Sequence, residues 1–264
     1  MKGKARYAPG LIYMNMDDER MGLEMLPDTE LIARRLRTLQ EYREMAQLYD
    51  GAIREIKTKL DILDEEFKVR YAHNPIHHME SRQKSIDSIL GKLHKKQLPL
   101  TLESARENLY DIAGIRVICY YIDDIYRIAE MITSQGDITP VRVRDYIAQP
   151  KENGYRSLHI VAKVPVFLSR QTESVPVEIQ IRTIAMDFWA SLEHQLRYKK
   201  DIDFTPDMAA ELLHCANESA ELDLRMDALR RRVLESDKPH RTAEPDPTEE
   251  EPNIPNQTET ENHA

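Results

Sequence analysis

The stretch that most restricts how this chain can fold is VPVEIQIRT, residues 175 to 183. Val177, Ile179 and Ile181 alternate with Glu178, Gln180 and Arg182, which is the period of a β-strand with one apolar face and one face bearing an acid, an amide and a base. Upstream lies QPKENGYRSLH, residues 149 to 159. It sets Lys151, an Asn153-Gly154 turn, Tyr155 and His159 on a loop that runs into a strand, so Tyr155, Ser157 and His159 should project to one side of a sheet. A cation, an aromatic ring and an imidazole together suit a purine nucleotide, and a polar strand face beside them suits a site floor. An ordinary solvated antiparallel strand is the commoner source of the same alternation.

With 264 residues and 41% hydrophobic content, the chain can bury one good core, so one domain with appendages is expected. No apolar run is long enough to cross a membrane, and MKGKARYAPG lacks the apolar segment of a signal peptide, which gives a cytoplasmic expectation. The formal charge of −9 argues against general DNA or RNA binding. Its distribution is uneven. From Asp237 onward eight acidic residues face two basic ones, so the tail holds −6 and the rest about −3, which leaves room for a basic pocket. Cys119 and Cys215 lack metal-ligand spacing and are both read as reduced packing residues.

Residues 1–27 show no clear period and form an N-terminal extension. From Asp28, apolar residues recur at three- and four-residue steps through Leu36, Leu39, Met45, Tyr49, Ile56 and Phe67, predicting a helical segment over 28–72 with Gly51 as its weak point. HNPIHH, residues 73 to 78, breaks that helix. Its three histidines lack the further ligands and spacing of a zinc site. Ser85 is a good N-cap for a helix with Ile86, Ile89, Leu90 and Leu93 inward. Arg82 and Lys84 then lie just ahead of the helix start, while Ser88 and Lys92 share one of its faces. Free amides, a helix dipole and several cations favour a polyphosphate there, although a merely solvated basic helix start is commoner. DIAGIRVICYYI predicts a turn at Asp111 and a buried strand of Ile115, Val117 and Cys119. Asp123 can cap the next helix, with Ile125, Ile128, Ala129 and Ile132 inward. A second strand alternates Val141 and Val143 with Arg142 and Arg144. After the central loop come a strand to about Phe167, a hairpin at 170–174, and VEIQIRT. A helix follows with Ile184, Phe188, Leu192 and Leu196 as its inner stripe, then a last amphipathic helix over 205–236 carrying Leu212, Leu213, Leu222, Leu229 and Val233. The tail, 237–264, has five prolines and many acids, a disordered composition. Intermixed strands and helices predict an α+β body around a mixed sheet flanked by helices.

Taken together, the polar positions are two carboxylates at strand edges (Asp111 and Glu178), the cations Arg82, Lys84, Lys92, Arg116, Arg144 and Lys151, and an aromatic with hydrogen-bonding neighbours. Two carboxylates beside phosphates are the usual protein share of a Mg²⁺ shell, because that ion keeps several waters. Phosphoryl or pyrophosphoryl transfer is the natural reading. Singly, each residue has a bland explanation: Asp111 can cap a turn, and Arg142 and Arg144 can simply be exposed.

SRQKSIDSILGK, DIAGIRVICYYIDDIYRI, VRDYIAQPKENGYRSLHIV and VPVEIQIRTIAMDFWASLEHQLRYKK, with their spacing, resemble the small alarmone synthetases, single-domain relatives of the RelA/SpoT enzymes that make (p)ppGpp. The resemblance covers about residues 80 to 200. It implies transfer of the β,γ-pyrophosphate of ATP to the 3′-hydroxyl of GDP or GTP with release of AMP, a nucleotidyltransferase-like synthetase core over 73–200, Mg²⁺ as cofactor, and commonly a homotetramer built through terminal helices. It implies that Arg82, Lys84, Ser88 and Lys92 clamp the ATP phosphates, with Arg116 and Arg144 also on the ATP side. Asp111 and Glu178 resemble the Mg²⁺ carboxylates, Glu178 being also a candidate base and Arg82 counted with the catalytic set. Tyr155 would stack on guanine, supported by Lys151, Asn153, His159 and Gln180. In two respects the chain departs from other members, the first being the hydrolase domain of the long RelA/SpoT proteins. No His is followed by Asp, as the hydrolase metal motif requires, so no (p)ppGpp degradation is expected. HHMES also replaces the Phe-Val-Thr-Gly that precedes the equivalent Arg in members activated by pppGpp, which sets activation there in question. A catalytically silent nucleotide-binding regulator and a nucleotidyltransferase of the same fold are the competing classes; the first would be expected to have lost Asp111 or Glu178, and the second would release pyrophosphate.

Overall fold

A computed structural model describes residues 28–198 and 204–236; the expectations for the N-terminal extension and the acidic tail lie outside the described residues. The elements are α1 (Asp28–Arg70), β1 (Ile76–Gln83), α2 (Ile86–Lys95), α3 (Leu102–Asn108), β2 (Ala113–Cys119), α4 (Ile122–Thr133), β3 (Thr139–Asp145), β4 (Leu158–Phe167), β5 (Thr172–Thr183), α5 (Ile184–Tyr198) and α6 (Pro206–Ser236). The sheet has five strands in the order β1-β2-β5-β4-β3. Only β2 and β5 pair in parallel. The architecture is therefore a mixed sheet flanked by helices, as the intermixed periods predict.

The strand VEIQIR is central rather than solvated: β5 is hydrogen-bonded on both sides, and Val177, Ile179 and Ile181 are fully buried. Their face packs against Met45, Ile56 and Leu60 of α1 and Ile125, Ile128 and Ile132 of α4. Each such aliphatic side chain contributes about 1.5–3 kcal/mol by leaving water, so truncating Ile179 to Ala costs about 2–5 kcal/mol. α1 runs unbroken through Gly51. A Cβ there would lie 3.0 Å from Val166 Cγ1, so the glycine lets the helix approach β4 closely rather than weakening it.

Several expectations are corrected. IHHMESRQ forms β1, an edge strand in which only Ile76 is buried and Met79 and Gln83 are half-buried, too weak an alternation to read. The short α3, capped by Thr101, was not anticipated. Asp123 lies inside the first turn of α4, whose N-cap position is Tyr121, and pairs with Arg231 of α6 instead. Cys119 packs in the core, but Cys215 is exposed. The stripe Ile184, Phe188, Leu192 and Leu196 faces outward, and Met186, Trp189 and Ala190 face inward. On α6, Leu213, Leu222, Leu229 and Val233 are exposed as well, and the buried residues are Ala216, Asp223 and Asp227. Small residues let the two helices close on each other, with Trp189 Nε1 donating to the Leu212 carbonyl. Helical periodicity finds an apolar stripe but not what covers it.

Candidate active site

The strand register assembles the site. One row across the sheet runs Arg82, Gly114, Glu178, Val161, Arg142, and the row two residues away runs Glu80, Arg116, Gln180, His159, Arg144. Residues two apart on a strand share a face, so both rows look away from the α1 side of the sheet. Their members on β1, β2 and β5 floor a cleft of about 630 Å³, whose lining includes Arg82, Lys84, Asp111, Arg116, Glu178 and Gln180.

Asp111 stands in the turn before β2. Ser85 caps α2 by accepting from the Ser88 amide at 3.4 Å, which fixes where the helix starts. From either side of that start Lys84 and Lys92 reach Asp111 Oδ2 at 2.9 and 2.5 Å. Burial pushes the Asp111 carboxyl up, but the two ammonium groups outweigh it and hold the group below the ordinary carboxylate range. Its other oxygen, Oδ1, is buried without a hydrogen-bond partner. Such an atom costs about 1–3 kcal/mol to bury and is suited to a cation. Glu178 behaves alike: burial and the nearby Asp111 raise it, while His159 and Gln180 lower it by more. The cleft thus holds two ionised carboxylates near enough to repel, beside a set of cations.

A second cluster, around Tyr155 and His159, lies toward the far end of the second row. His159 Nδ1 lies 3.3 Å from Glu178 Oε1, and Gln180 Nε2 donates to Glu178 Oε2 at 2.9 Å. The Tyr155 hydroxyl is 2.7 Å from His159 Nε2 and accepts from Arg182 at 2.6 Å. Burial raises the Tyr155 phenol. Lys151 Nζ lies 4.5 Å from the Tyr155 ring centre and 4.7 Å from that of Tyr146. Asn153 closes the turn by accepting from the Tyr155 amide and donates to Glu193.

The structure does not put every sequence-selected residue in the cleft lining: Lys92, Lys151, Asn153, Tyr155 and His159 lie outside it, as do Ser88 and Arg144. Ser88 is exposed at the α2 start, bonded to Ser85. Arg144 sits on the edge strand β3 and donates to Tyr146, beside the His159 ring rather than near Arg82 and Lys84. Arg116 is in the cleft, paired with Glu80 and Asp187. Sequence reasoning missed Tyr146, Asp187 and the burial of Arg182. For Arg182 a signal existed, because it shares a strand face with Glu178 and Gln180; Tyr146 and Asp187 show their role only after folding.

Two lysines converging on one carboxylate, a second carboxylate on the sheet and a lysine–tyrosine–histidine cluster beside it fit a nucleotide-dependent transferase of the phosphate-transfer class. Residues 81–203 match the model of the region found in RelA / SpoT proteins. The chain is 41% identical over 195 residues to the GTP pyrophosphokinase YwaC of Bacillus subtilis, covering 74% of this chain and 93% of that one. It is 38% identical over 188 residues to GTP pyrophosphokinase YjbM of the same organism, covering 71% and 88%. Among solved structures, the small alarmone synthetase 1 of Bacillus subtilis bound to its product pppGpp superposes with a TM-score of 0.69 at 36% identity, over 74% of this chain and 98% of that one. The small alarmone synthetase 2 of that organism gives 0.67 at 41% identity, over 73% and 100%. The chain belongs to the RelA/SpoT family, and within it to the small alarmone synthetases.

Proposed function

We propose that this protein makes (p)ppGpp by moving the β,γ-pyrophosphate of ATP onto the 3′-hydroxyl of GDP or GTP, with Arg82, Lys84 and Lys92 holding the ATP phosphates and Glu178 taking the hydroxyl proton. The new bond joins the acceptor 3′-oxygen to the β-phosphorus, the bond from that phosphorus to the α-phosphate oxygen breaks, and AMP leaves. Positioning and charge compensation supply most of the acceleration in such a transfer. The convergence of Lys84 and Lys92 on Asp111 at one edge of the cleft, with Glu178 on its floor, is the observation that carries this reading. Asp111 and Glu178 would hold Mg²⁺, which the unpartnered Asp111 Oδ1 fits. When bound, that ion neutralises phosphate charge. A guanine stacked on Tyr155 exchanges the Lys151 cation–π contact for a π-stack and frees the ammonium for acceptor phosphate. Asn153, His159 and Gln180 complete the acceptor wall, with Arg144 beside His159 at its edge rather than among the ATP-side cations; Ser88 at the α2 start and Arg116 in the cleft border the ATP side.

The protein is further proposed to be a homo-oligomer, a tetramer by family likeness, working in the cytoplasm on free nucleotides. The exposed apolar stripes of α5 and α6, and Ile32, Leu36 and Leu39 of α1, support assembly. No helix among the described residues is long and apolar enough to cross a membrane. The test is to incubate purified protein with Mg²⁺, ATP labelled in its β and γ phosphates, and GDP, GTP or GMP in turn, and to resolve the products. AMP should appear in equal amount with a guanosine nucleotide carrying both labels. Release of pyrophosphate, or of ADP, would overturn the assignment.

A further inference from the structure

The loop between β3 and β4, residues 146–157, carries Tyr146, Lys151, Asn153 and Tyr155. Its shape is set from within: the Gly154 amide donates to the Lys151 carbonyl at 2.8 Å, the Lys151 amide to the Tyr155 carbonyl at 3.2 Å, and the Tyr155 amide to Asn153 Oδ1. Its seat on α6 is a separate matter. Gly154 lies so close to Ala216 that a Cβ on it would fall 2.5 Å from the Ala216 Cβ, and Tyr155 packs with Leu212 against Trp189, Ala190 and Ala216. Apolar contact of this kind is non-directional. Arg156 supplies the directional part. Its Nη1 donates to the Gly154 carbonyl at 2.9 Å and to the Ala216 carbonyl at 3.2 Å, while Nη2 donates to Asn217 Oδ1 at 3.1 Å. One nitrogen thus joins the turn to the helix, and the other reaches the next helical residue. The Ala216 carbonyl can accept because a helix carbonyl keeps a second lone pair after its own bond. Among the described residues, both hydrogen bonds that cross from this loop to α6 come from Arg156. α6 itself is tied down without Arg156, by Trp189 donating to the Leu212 carbonyl, Ser219 to that of Ala185, and Thr183 to Asp223. Removing the guanidinium therefore frees the loop and leaves the helix in place.

We infer that Arg156 is a positioning residue for the acceptor nucleotide: its guanidinium clips the 146–157 loop to one place on α6, so that Lys151, Asn153 and Tyr155 meet the incoming guanosine nucleotide already in position. The inference rests on the proposed function only in naming that ligand. A lysine cannot do the same, since a single ammonium lacks the planar fork that spans acceptors on two elements. A loop seated for only about a tenth of the time binds about tenfold more weakly, because apparent affinity falls with the competent fraction.

The experiment is amide hydrogen exchange of the full chain without nucleotide, read on peptides from the loop and from α6, in the wild type, Arg156→Lys and Asn217→Ala, with KM measured for both substrates. Arg156→Lys keeps the charge and loses the fork. Its loop peptides should exchange about tenfold faster while those of α6 stay unchanged. KM for the guanosine nucleotide should rise about tenfold, with kcat and KM for ATP within about twofold. Asn217→Ala removes the Nη2 acceptor at an exposed position; it should move both readouts the same way by less, and add little to Arg156→Lys. Should Arg156→Lys fail to fold, Asn217→Ala decides alone. Unchanged loop exchange in the deciding variant overturns the inference, as does equal loosening of the loop and α6, or an equal rise in KM for the two substrates. A wild-type KM in Arg156→Lys overturns it too, since a residue acting on the nucleotide through charge alone would survive that change. Faster loop exchange in Arg156→Lys, in a protein whose wild type makes no pyrophosphorylated guanosine product, upholds the clip and refutes the proposed function.

Discussion

Gly154→Ala tests how the acceptor loop is held. Gly154 has φ +86°, and a Cβ built on it falls 2.5 Å from Ala216 Cβ and 3.0 Å from Leu213 Cδ1. The left-handed backbone costs an L-residue about 1–2 kcal/mol. The clash adds about 1–3 kcal/mol, because α6 cannot simply step back. Arg156 donates to the Ala216 carbonyl, Trp189 to that of Leu212, and Ser219 to that of Ala185. The expected loss is about 2–5 kcal/mol in urea unfolding, a large share of a typical domain's 5–15, together with a raised KM for the guanosine nucleotide as Tyr155 and Asn153 shift. Ala216→Gly alone should cost about 1 kcal/mol of helix propensity. Added to Gly154→Ala it should restore part of the stability, giving a coupling of about 1 kcal/mol or more in a double-mutant cycle. A Gly154→Ala protein of unchanged stability and KM, or strict additivity of the pair, would refute the close-contact reasoning.

Other perturbations report on single residues. Asp111→Asn keeps the side-chain shape and removes the charge that Lys84 and Lys92 converge on; turnover should fall about 10²-fold or more with the far-UV spectrum intact, and a full rate would count against its role. Tyr155→Ala should weaken the guanosine nucleotide about tenfold or more, since base–aromatic stacking is worth about 1–3 kcal/mol, and leave KM for ATP nearly unchanged; equal losses for both substrates would remove the stacking assignment. Asp223 is buried against Thr183, and burial with the nearby Asp227 raises its carboxyl above the ordinary range. A carboxyl raised in the folded state favours folding when protonated, and that contribution is lost as pH rises from the unfolded value through the folded one. Asp223→Asn should therefore have a Tm at or above the wild type at pH 7, the gap closing as pH falls into the carboxylate range. A variant destabilised at pH 7 but not in acid would contradict the sign.

What the sequence discloses here depends on whether a residue's surroundings are local. Val177, Ile179 and Ile181 announce their strand because alternation is a local pattern, and the Ser85 cap lies within three residues of its amide. β1 was invisible because an edge strand owes its existence to β2, thirty residues on. The faces of α5 and α6 were inverted because both helices carry apolar side chains on more than one side, and only their mutual packing, with Asp223 turned inward to Thr183, decides between them. Of the residues singled out in the sequence, Arg82, Arg116, Glu178, Gln180 and His159 meet on two rows of one sheet face, while Lys84, Lys92 and Asp111 come together from the α2 start and the turn before β2. Arg182 was read as one more polar residue, since nothing along the chain signals that Tyr155, Ser157 and Asp187 surround it.

A crystal structure of the protein with Mg²⁺, a non-hydrolysable ATP analogue and GDP would place all of these groups at once. The triphosphate should lie against Arg82, Lys84 and Lys92, the ion between Asp111 and Glu178, and the guanine on the Tyr155 ring with its ribose 3′-oxygen toward Glu178. A guanine bound away from Tyr155, or phosphates outside the cleft floored by Glu178 and Gln180, would contradict the site described here.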